Sequence, residues 1–405
     1  MLSSYTIMNL SIDFIALFKK FVLGFIGLFC LFLSVGLMAQ EDSLVEKFEL
    51  PEAVKETSGL IFFNNRLITH NDSGDGPTLY EIDTISQAIT RTITIDNATS
   101  VDWEDIDQDD THIYIADIGN NNGSRQDLKI YKILKSDYIS STTVTAEIIS
   151  FSYEDQTDFT SSPNNTNFDA EAMAIYQDNI VIFTKNWIDF QTNVYVIPKT
   201  VGTHTAQKVS NYDCQGLITG ASINGEHFLL TGYNSMAVPF LVFVNENRPP
   251  GLDFLGGGTV SRIQLIGNSF LEQGSQIEGV CPLTFDRWYI SREFSTTTIG
   301  TMTLEFPQKL YEFSSFIFFL LSRNDEELSQ SVRIVPNPVH TIFSIVQRNN
   351  PQSIEETVIY NSKGQEITLS KDHFDINLEG FAAGIYFAKI RFVSGKYVVK
   401  RILKK

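Results

Sequence analysis

The chain has 405 residues, 43% of them hydrophobic and 19% charged, which suits a buried core and excludes wholesale disorder. Its formal charge of −18 sets up a field that repels phosphate backbones and anionic headgroups, so nucleic acid is not an expected partner. Three cysteines without a C-x-x-C pair exclude a cysteine zinc site, leaving cations, sugars and other neutral ligands as candidates.

Lys19 and Lys20 precede the apolar run Phe21–Met38, which ends at Ala39-Gln40 before the polar Glu41-Asp42-Ser43. That order is the charged, apolar and small-residue sequence of a secretory signal peptide, residues 1–39, cleaved after Ala39. The run is also nearly long enough to be a membrane anchor. Cys30 follows Gly27-Leu28-Phe29, without the small residue a lipoprotein cysteine needs just before it. Cleavage would remove Cys30 and leave no stable membrane span. Cys214 and Cys281 then remain, as one disulfide or as two packed thiols.

From residue 41 to 321 the chain repeats. Five segments fit one template: 58–72, 104–118, 171–185, 219–233 and 278–293, the last with one extra residue. Each opens on a polar residue, Ser58, Glu104, Glu171, Thr219 or Glu278. A small residue follows in four, Gly59, Ala172, Gly220 and Gly279, and Asp105 is the exception. A short strand, a polar turn, an alternating strand and two further strands complete each unit; the fifth unit takes IGTMTL as its third strand. Tyr80, Tyr131, Tyr195 and Phe243 recur at one place in the third strand and read as a packing site. Four strands per repeat is the pattern of an all-β propeller, five-bladed by this count and six-bladed as the alternative. Residues 44–51 would supply the outer strand of the last blade and close the ring. The run 311–321 is unplaced, and 322–331 reads as a linker.

Part of this region resembles propellers of the SdiA-regulated and esterase-like phytase families, through Ser58-Gly59-Leu60, Asp102-Trp103-Glu104-Asp105-Ile106, Asp169-Ala170-Glu171-Ala172 and Glu278-Gly279-Val280. The resemblance implies a fold; the proteins that share it differ in function.

Residues 332–405 read as short alternating strands with a Pro336-Asn337-Pro338 opening, then "IYNSKGQEI", "AAGIYFAKI" and a basic end, "KYVVKRILKK". The segment resembles the C-terminal sorting domain of the type IX secretion system. That implies a small immunoglobulin-like sandwich recognised by an outer-membrane translocon, and a protein that is secreted or sits on the cell surface. We expect a monomer.

On the template, Glu104, Glu171 and Glu278 open the innermost strands and ring one mouth. Crowded carboxylates persist if solvated, protonated, paired or metal-bound. Asp102 and Asp169 lie two residues upstream and share a strand face with Glu104 and Glu171. The second strands return to the mouth with His70, Asp72, Asp117, Lys185, Tyr233, Arg292 and Glu293. One expectation is a closed ion-pair ring, with Lys185 and Arg292 neutralising the glutamates. A second is ligand recognition by Glu104, Glu171, Glu278, Lys185, Tyr233 and Arg292. A third is calcium on Asp72, Glu104, Asp117, Glu171 and Glu278, with His70 as acid or base, hydrolysing phosphoesters or lactones.

Asp105, Asp107 and Asp109 have the first spacing of a calcium loop, yet Asp110 and Ala116 stand where it needs Gly and Glu, so a solvated acidic turn is expected. Gly256-Gly257-Gly258 precedes a strand and reads as a turn. No G-x-S-x-G elbow occurs, and the histidines lack metal-ligand spacing.

Overall fold

The computed structural model describes residues 44–405 except 225–226, 245–254, 256–259, 266–275, 285, 300–301, 316–327, 329–330, 349–352, 362–365, 371–374 and 394–396. The leader, the triple glycine and most of the expected linker lie outside the described residues. Among the described residues the fold is all-β with almost no helix, a short α-helix at Lys135–Ser140 and a 3-10 turn at Glu52–Val54. Among the described residues no helix is long and apolar enough to cross a membrane.

Five antiparallel sheets follow the repeat. The first holds Thr57–Phe63, Arg66–Asn71, Thr78–Asp83 and Ala88–Ile95, with Thr143–Val144 at its edge. The second holds Trp103–Gln108, His112–Asp117, Lys129–Leu134 and Glu147–Tyr153, and the third Ala170–Tyr176, Asn179–Thr184, Thr192–Pro198 and Gly202–Tyr212. The outer strands of these two pair in parallel, making one eight-stranded sheet. The fourth holds Leu217–Asn224, His227–Tyr233, Pro239–Val244 and Val260–Gln264. The fifth holds Ile277–Thr284, Arg287–Arg292 and Lys309–Ser314, completed by Leu44–Glu49 from the other end of the chain.

The fifth sheet corrects the sequence reading. IGTMTL contributes to an inserted hairpin, Ser295–Ile299 with Met302–Phe306, and the third strand comes from the start of the unplaced run. Tyr311 opposes Ile290 there, as Tyr131 opposes Ile115 and Tyr195 opposes Ile182, so the recurrent aromatic extends to this sheet.

The first strands of the five sheets lie side by side in a closed cycle: first to second, second to third, third to fourth, fourth to fifth, and fifth back to first. Their approach explains the small residue of the template. A Cβ on Gly59 would stand 2.4 Å from Ile106 N, one on Gly220 2.3 Å from Glu278 O, and one on Gly279 2.3 Å from Ser58 O. At these three positions only hydrogen fits where backbones approach this closely.

Asp105 fills the space the small residues leave. It is completely buried, with Oδ2 accepting Met173 N at 2.8 Å and Ala221 N at 3.2 Å and Oδ1 accepting Ile106 N at 2.8 Å. Asp107 is buried too, and its Oδ2 accepts Ile175 N at 2.6 Å. These two acids bind neighbouring strands and are not the solvated turn expected for them. Asp109 does sit in the hairpin turn, holding the amides of Thr111 and His112 at 2.8 and 2.9 Å. Cys214 and Cys281 are buried and unpaired.

The C-terminal β domain pairs Val332–Val335, Ile342–Gln347 and Ile376–Asn377 in one sheet, and Glu366–Ser370, Ile354–Asn361, Gly384–Phe392 and Tyr397–Lys404 in another. Val339, Phe343, Ile359, Ile390, Phe392 and Ile402 form its core. Asn337 ties the proline corner to the last strand, donating to Arg401 O at 2.7 Å and accepting Leu403 N at 2.9 Å.

Candidate functional site

Each first strand is irregular at the same place. Pairing with the second strand shifts between Thr57 and Leu60, Trp103 and Asp105, Ala170 and Ala172, Ile218 and Gly220, and Ile277 and Val280. Inside these bulges lie Ser58 with Gly59, Glu104, Glu171, Thr219, and Glu278 with Gly279, so each holds the polar residue that opens the template. A bulge adds an unpaired residue and re-aims its side chain. The polar–small signature is therefore the sequence form of a bulge that turns one polar group toward the end of the ring.

Two of the five are absorbed structurally. Ser58 donates to Glu104 O and Thr219 to Ile277 O, both at 2.5 Å, stapling neighbouring sheets. Glu104, Glu171 and Glu278 remain, 5%, 5% and 4% exposed. Glu171 is held by Lys185, whose Nζ donates at 2.5 and 2.6 Å to its two oxygens. The ammonium also sits 5.0 Å from the Trp187 ring centroid and 5.4 Å from that of Tyr233, a cation against two aromatic faces. The carboxylates around it hold Lys185 protonated far above its usual range despite burial.

Glu104 and Glu278 have no such partner: neither carboxylate accepts a hydrogen bond or forms an ion pair with any described residue. Burial, then Glu171 and Asp102, push the Glu104 carboxyl well up, and burial, then Glu293, does the same for Glu278. Asp102 is pushed up to about 6 by burial and by Asp169, Glu171 to about 8 by burial, and Glu293 to about 8 by burial and by Asp72. Asp169 is held by Asn120 N at 2.6 Å and Trp187 Nε1 at 2.8 Å.

Glu104 and Asp102 converge over Gly119. A Cβ there would meet Glu104 Oε1 at 2.1 Å and Asp102 Oδ2 at 2.3 Å, so the glycine makes room for two carboxylates side by side. Arg125 fixes this glycine, donating from Nη1 to Gly119 O at 2.8 Å and from Nη2 to Asp117 Oδ1 at 2.8 Å. The other oxygen of Asp117 is buried and accepts nothing.

The remaining candidates scatter. His70 is fully buried, its ring edge-on to Trp103 at 5.7 Å and its Nδ1 3.1 Å from Asn71 O, so it does not reach the opening as an acid or base. Arg292 donates from Nε and Nη2 to Pro307 O at 3.0 and 2.7 Å, beside the Tyr311 ring. Asp72 is half-buried and turned onto Ser73 N. Among the described residues no group of three or more His, Cys, Asp or Glu side chains is placed to hold one metal ion. Sequence reasoning missed Arg125, Trp187 and Gly119. They lie in loops after second strands, and the tryptophan two residues past Lys185 was the available signal.

Residues 333–405 match the model of the secretion system C-terminal sorting domain. This tail marks the protein for export by type IX secretion, to the cell surface or into the medium. No curated protein sequence matches the chain. Among solved structures, a DUF4623 family protein from Bacteroides eggerthii aligns with 65% of this chain and 71% of its own, at 12% identity and a TM-score of 0.34. The tail fiber of Staphylococcus aureus phage P68 aligns over 90% and 78%, at 9% identity and 0.36. CoXyl43, a GH43 beta-xylosidase/alpha-arabinofuranosidase from a compost microbial metagenome, aligns over 66% and 94%, at 12% identity and 0.36. Likeness at this level carries no argument about activity.

Proposed function

We propose that residues 41–321 form a five-bladed β-propeller, exported after signal cleavage and displayed or released through the tail, and that its acid-lined end binds a ligand without turning it over. The closed cycle of five first strands, with Leu44–Glu49 completing the fifth sheet, supports the blade count.

One observation carries the binding reading. Glu104 and Glu278 are 5% and 4% exposed and have no hydrogen-bond donor or ion-pair partner among the described residues, yet their oxygens are not sealed from solvent and stay reachable from the end of the ring. Carboxyls crowded together, left without a protein partner and still reachable from solvent call for a functional account. A closed ion-pair ring would have paired each of them directly; among the described residues Lys185 hydrogen-bonds only Glu171 of the three and reaches Glu104 and Glu278 through its field.

Calcium fits the donors poorly. It takes six to eight oxygens, whereas Asp117 is committed to Arg125 and Glu171 to Lys185. The calcium-assisted hydrolase is therefore the second reading, and no reaction step is assigned to it. The test is an array of glycans and peptides probed with the exported protein and with a Glu104→Gln, Glu278→Gln variant. Signals lost in the variant support the site; identical patterns count against it.

A further inference from the structure

The site described above already holds one alkyl ammonium of its own. Lys185 shows what the surroundings accept: a cation with donors for carboxylate oxygens, between the Trp187 and Tyr233 rings. Beside it the acids exceed the cations. Asp102 and Glu104 face each other over Gly119, Asp117 Oδ2 is a buried acceptor without a donor, and Glu278 lacks one too.

The loops at this end of the ring expose apolar side chains. Ile188 and Phe190 follow Trp187, Met236 follows Tyr233, and Phe294 follows Glu293; they are 59%, 36%, 73% and 37% exposed. Large exposed apolar groups on the loops beside a cluster of acids mark a surface for something that carries both apolar surface and charge.

We propose that this site binds an alkyl ammonium or guanidinium group on an apolar stem, whose head donates to Glu104 and its neighbour Asp102 over Gly119, with Glu278 adding negative charge to the same end of the ring, while its stem lies on the exposed Ile188, Phe190 and Met236. The inference rests on the binding reading above and names its ligand class. A planar guanidinium, with its fork of donors, suits two carboxylates over one glycine better than a hydrated metal ion does. The same chemistry comes from a free amine or from a basic residue in a peptide.

Two probes separate these sources: agmatine, and an acetylated, amidated Leu-Arg-Leu peptide. Controls are the same peptide with norleucine at its centre and a neutral chitotriose. Binding to the full exported chain is followed by calorimetry and by tryptophan emission, since Trp103 and Trp288 are buried and Trp187 alone is half-buried. The proposal expects saturable one-to-one binding of a cationic probe, at least tenfold weaker in the Glu104→Gln, Glu278→Gln variant. It expects a similar loss in Gly119→Ala, which fills the space between the two acids and removes no charge; a native-like melt shows that this variant folds. Tighter agmatine points to a free amine, tighter peptide to a protein segment. Equal binding of the norleucine peptide, or cation binding indifferent to Gly119→Ala, overturns the proposal. Chitotriose binding that the double variant loses, with no cation binding, overturns the cation and keeps the site. Silence from every probe and from the arrays removes both.

Discussion

Asp105 Oδ2 accepts the amide of Met173 at 2.8 Å, tying the second sheet's first strand to the third's, and it reaches Ala221 N of the fourth at 3.2 Å. One carboxylate thus holds three sheets at the centre of the ring. Asp105→Ala takes the acceptor from three amides; those of Met173 and Ala221 reach it from other strands, and losing them costs about 1–3 kcal/mol each, beyond the local bond to Ile106 N. The expected loss is roughly 2–6 kcal/mol in chemical denaturation, with little change in far-ultraviolet circular dichroism.

Removing the cation at the end of the ring strands its partner. Lys185→Met leaves Glu171 buried and unpaired, which for a broken buried pair costs about 3–5 kcal/mol. Adding Glu171→Gln should recover most of that loss. A double variant no more stable than Lys185→Met would mean the pair is not the reason for the loss.

His70 sets an acid limit. Burial drives its imidazole down to about 4 from an ordinary value of 6.5. The folded state therefore binds fewer protons than the unfolded chain, and stability falls as pH drops from 6.5 through 4. Over that window the group accounts for about 3 kcal/mol. His70→Gln should flatten the melting temperature between pH 6.5 and 4; an unchanged slope would assign acid sensitivity elsewhere.

Export depends on the tail. Deleting residues 333–405 should leave the protein inside the outer membrane of a type IX-competent cell, protected from external protease. Surface display of the truncated chain would contradict the role of this domain.

Much of this architecture was legible because it repeats. A polar residue followed by a small one recurs since each first strand needs a bulge and close backbone approach. The recurrent third-strand tyrosines, Tyr131, Tyr195 and Tyr311, fill equivalent space between sheets, whereas Phe243, expected with them, opposes Leu229 one residue out of register and packs on the other face of its sheet. The fifth sheet was misread because its inserted hairpin, Ser295–Ile299 with Met302–Phe306, alternates like any strand, and only pairing with Arg287–Arg292 selects Lys309–Ser314 instead. The positions of Glu104, Glu171, Glu278 and Lys185 at the end of the ring were readable from the repeat, while their binding role is a proposal. The side-chain directions of Arg292 and His70 were not, because strand position fixes where a Cα sits and not whether its side chain turns to Pro307 or under Trp103. Arg125 and Gly119 come from a loop without repeat partners.

The central claim is that Glu104 and Glu278 are kept for a ligand at a cost to the fold. A carboxyl whose folded value is raised destabilises the folded state as pH climbs above the unfolded value near 4.5 toward the folded one, and burial and neighbouring carboxylates raise both Glu104 and Glu278 well above it. The direct measurement is the melting temperature of the Glu104→Gln, Glu278→Gln variant against the native chain at pH 4.5 and pH 8. The account predicts near equality at pH 4.5 and a variant several degrees more stable at pH 8. A variant less stable at pH 8 would contradict it and make the glutamates part of the ring's own ion pairing.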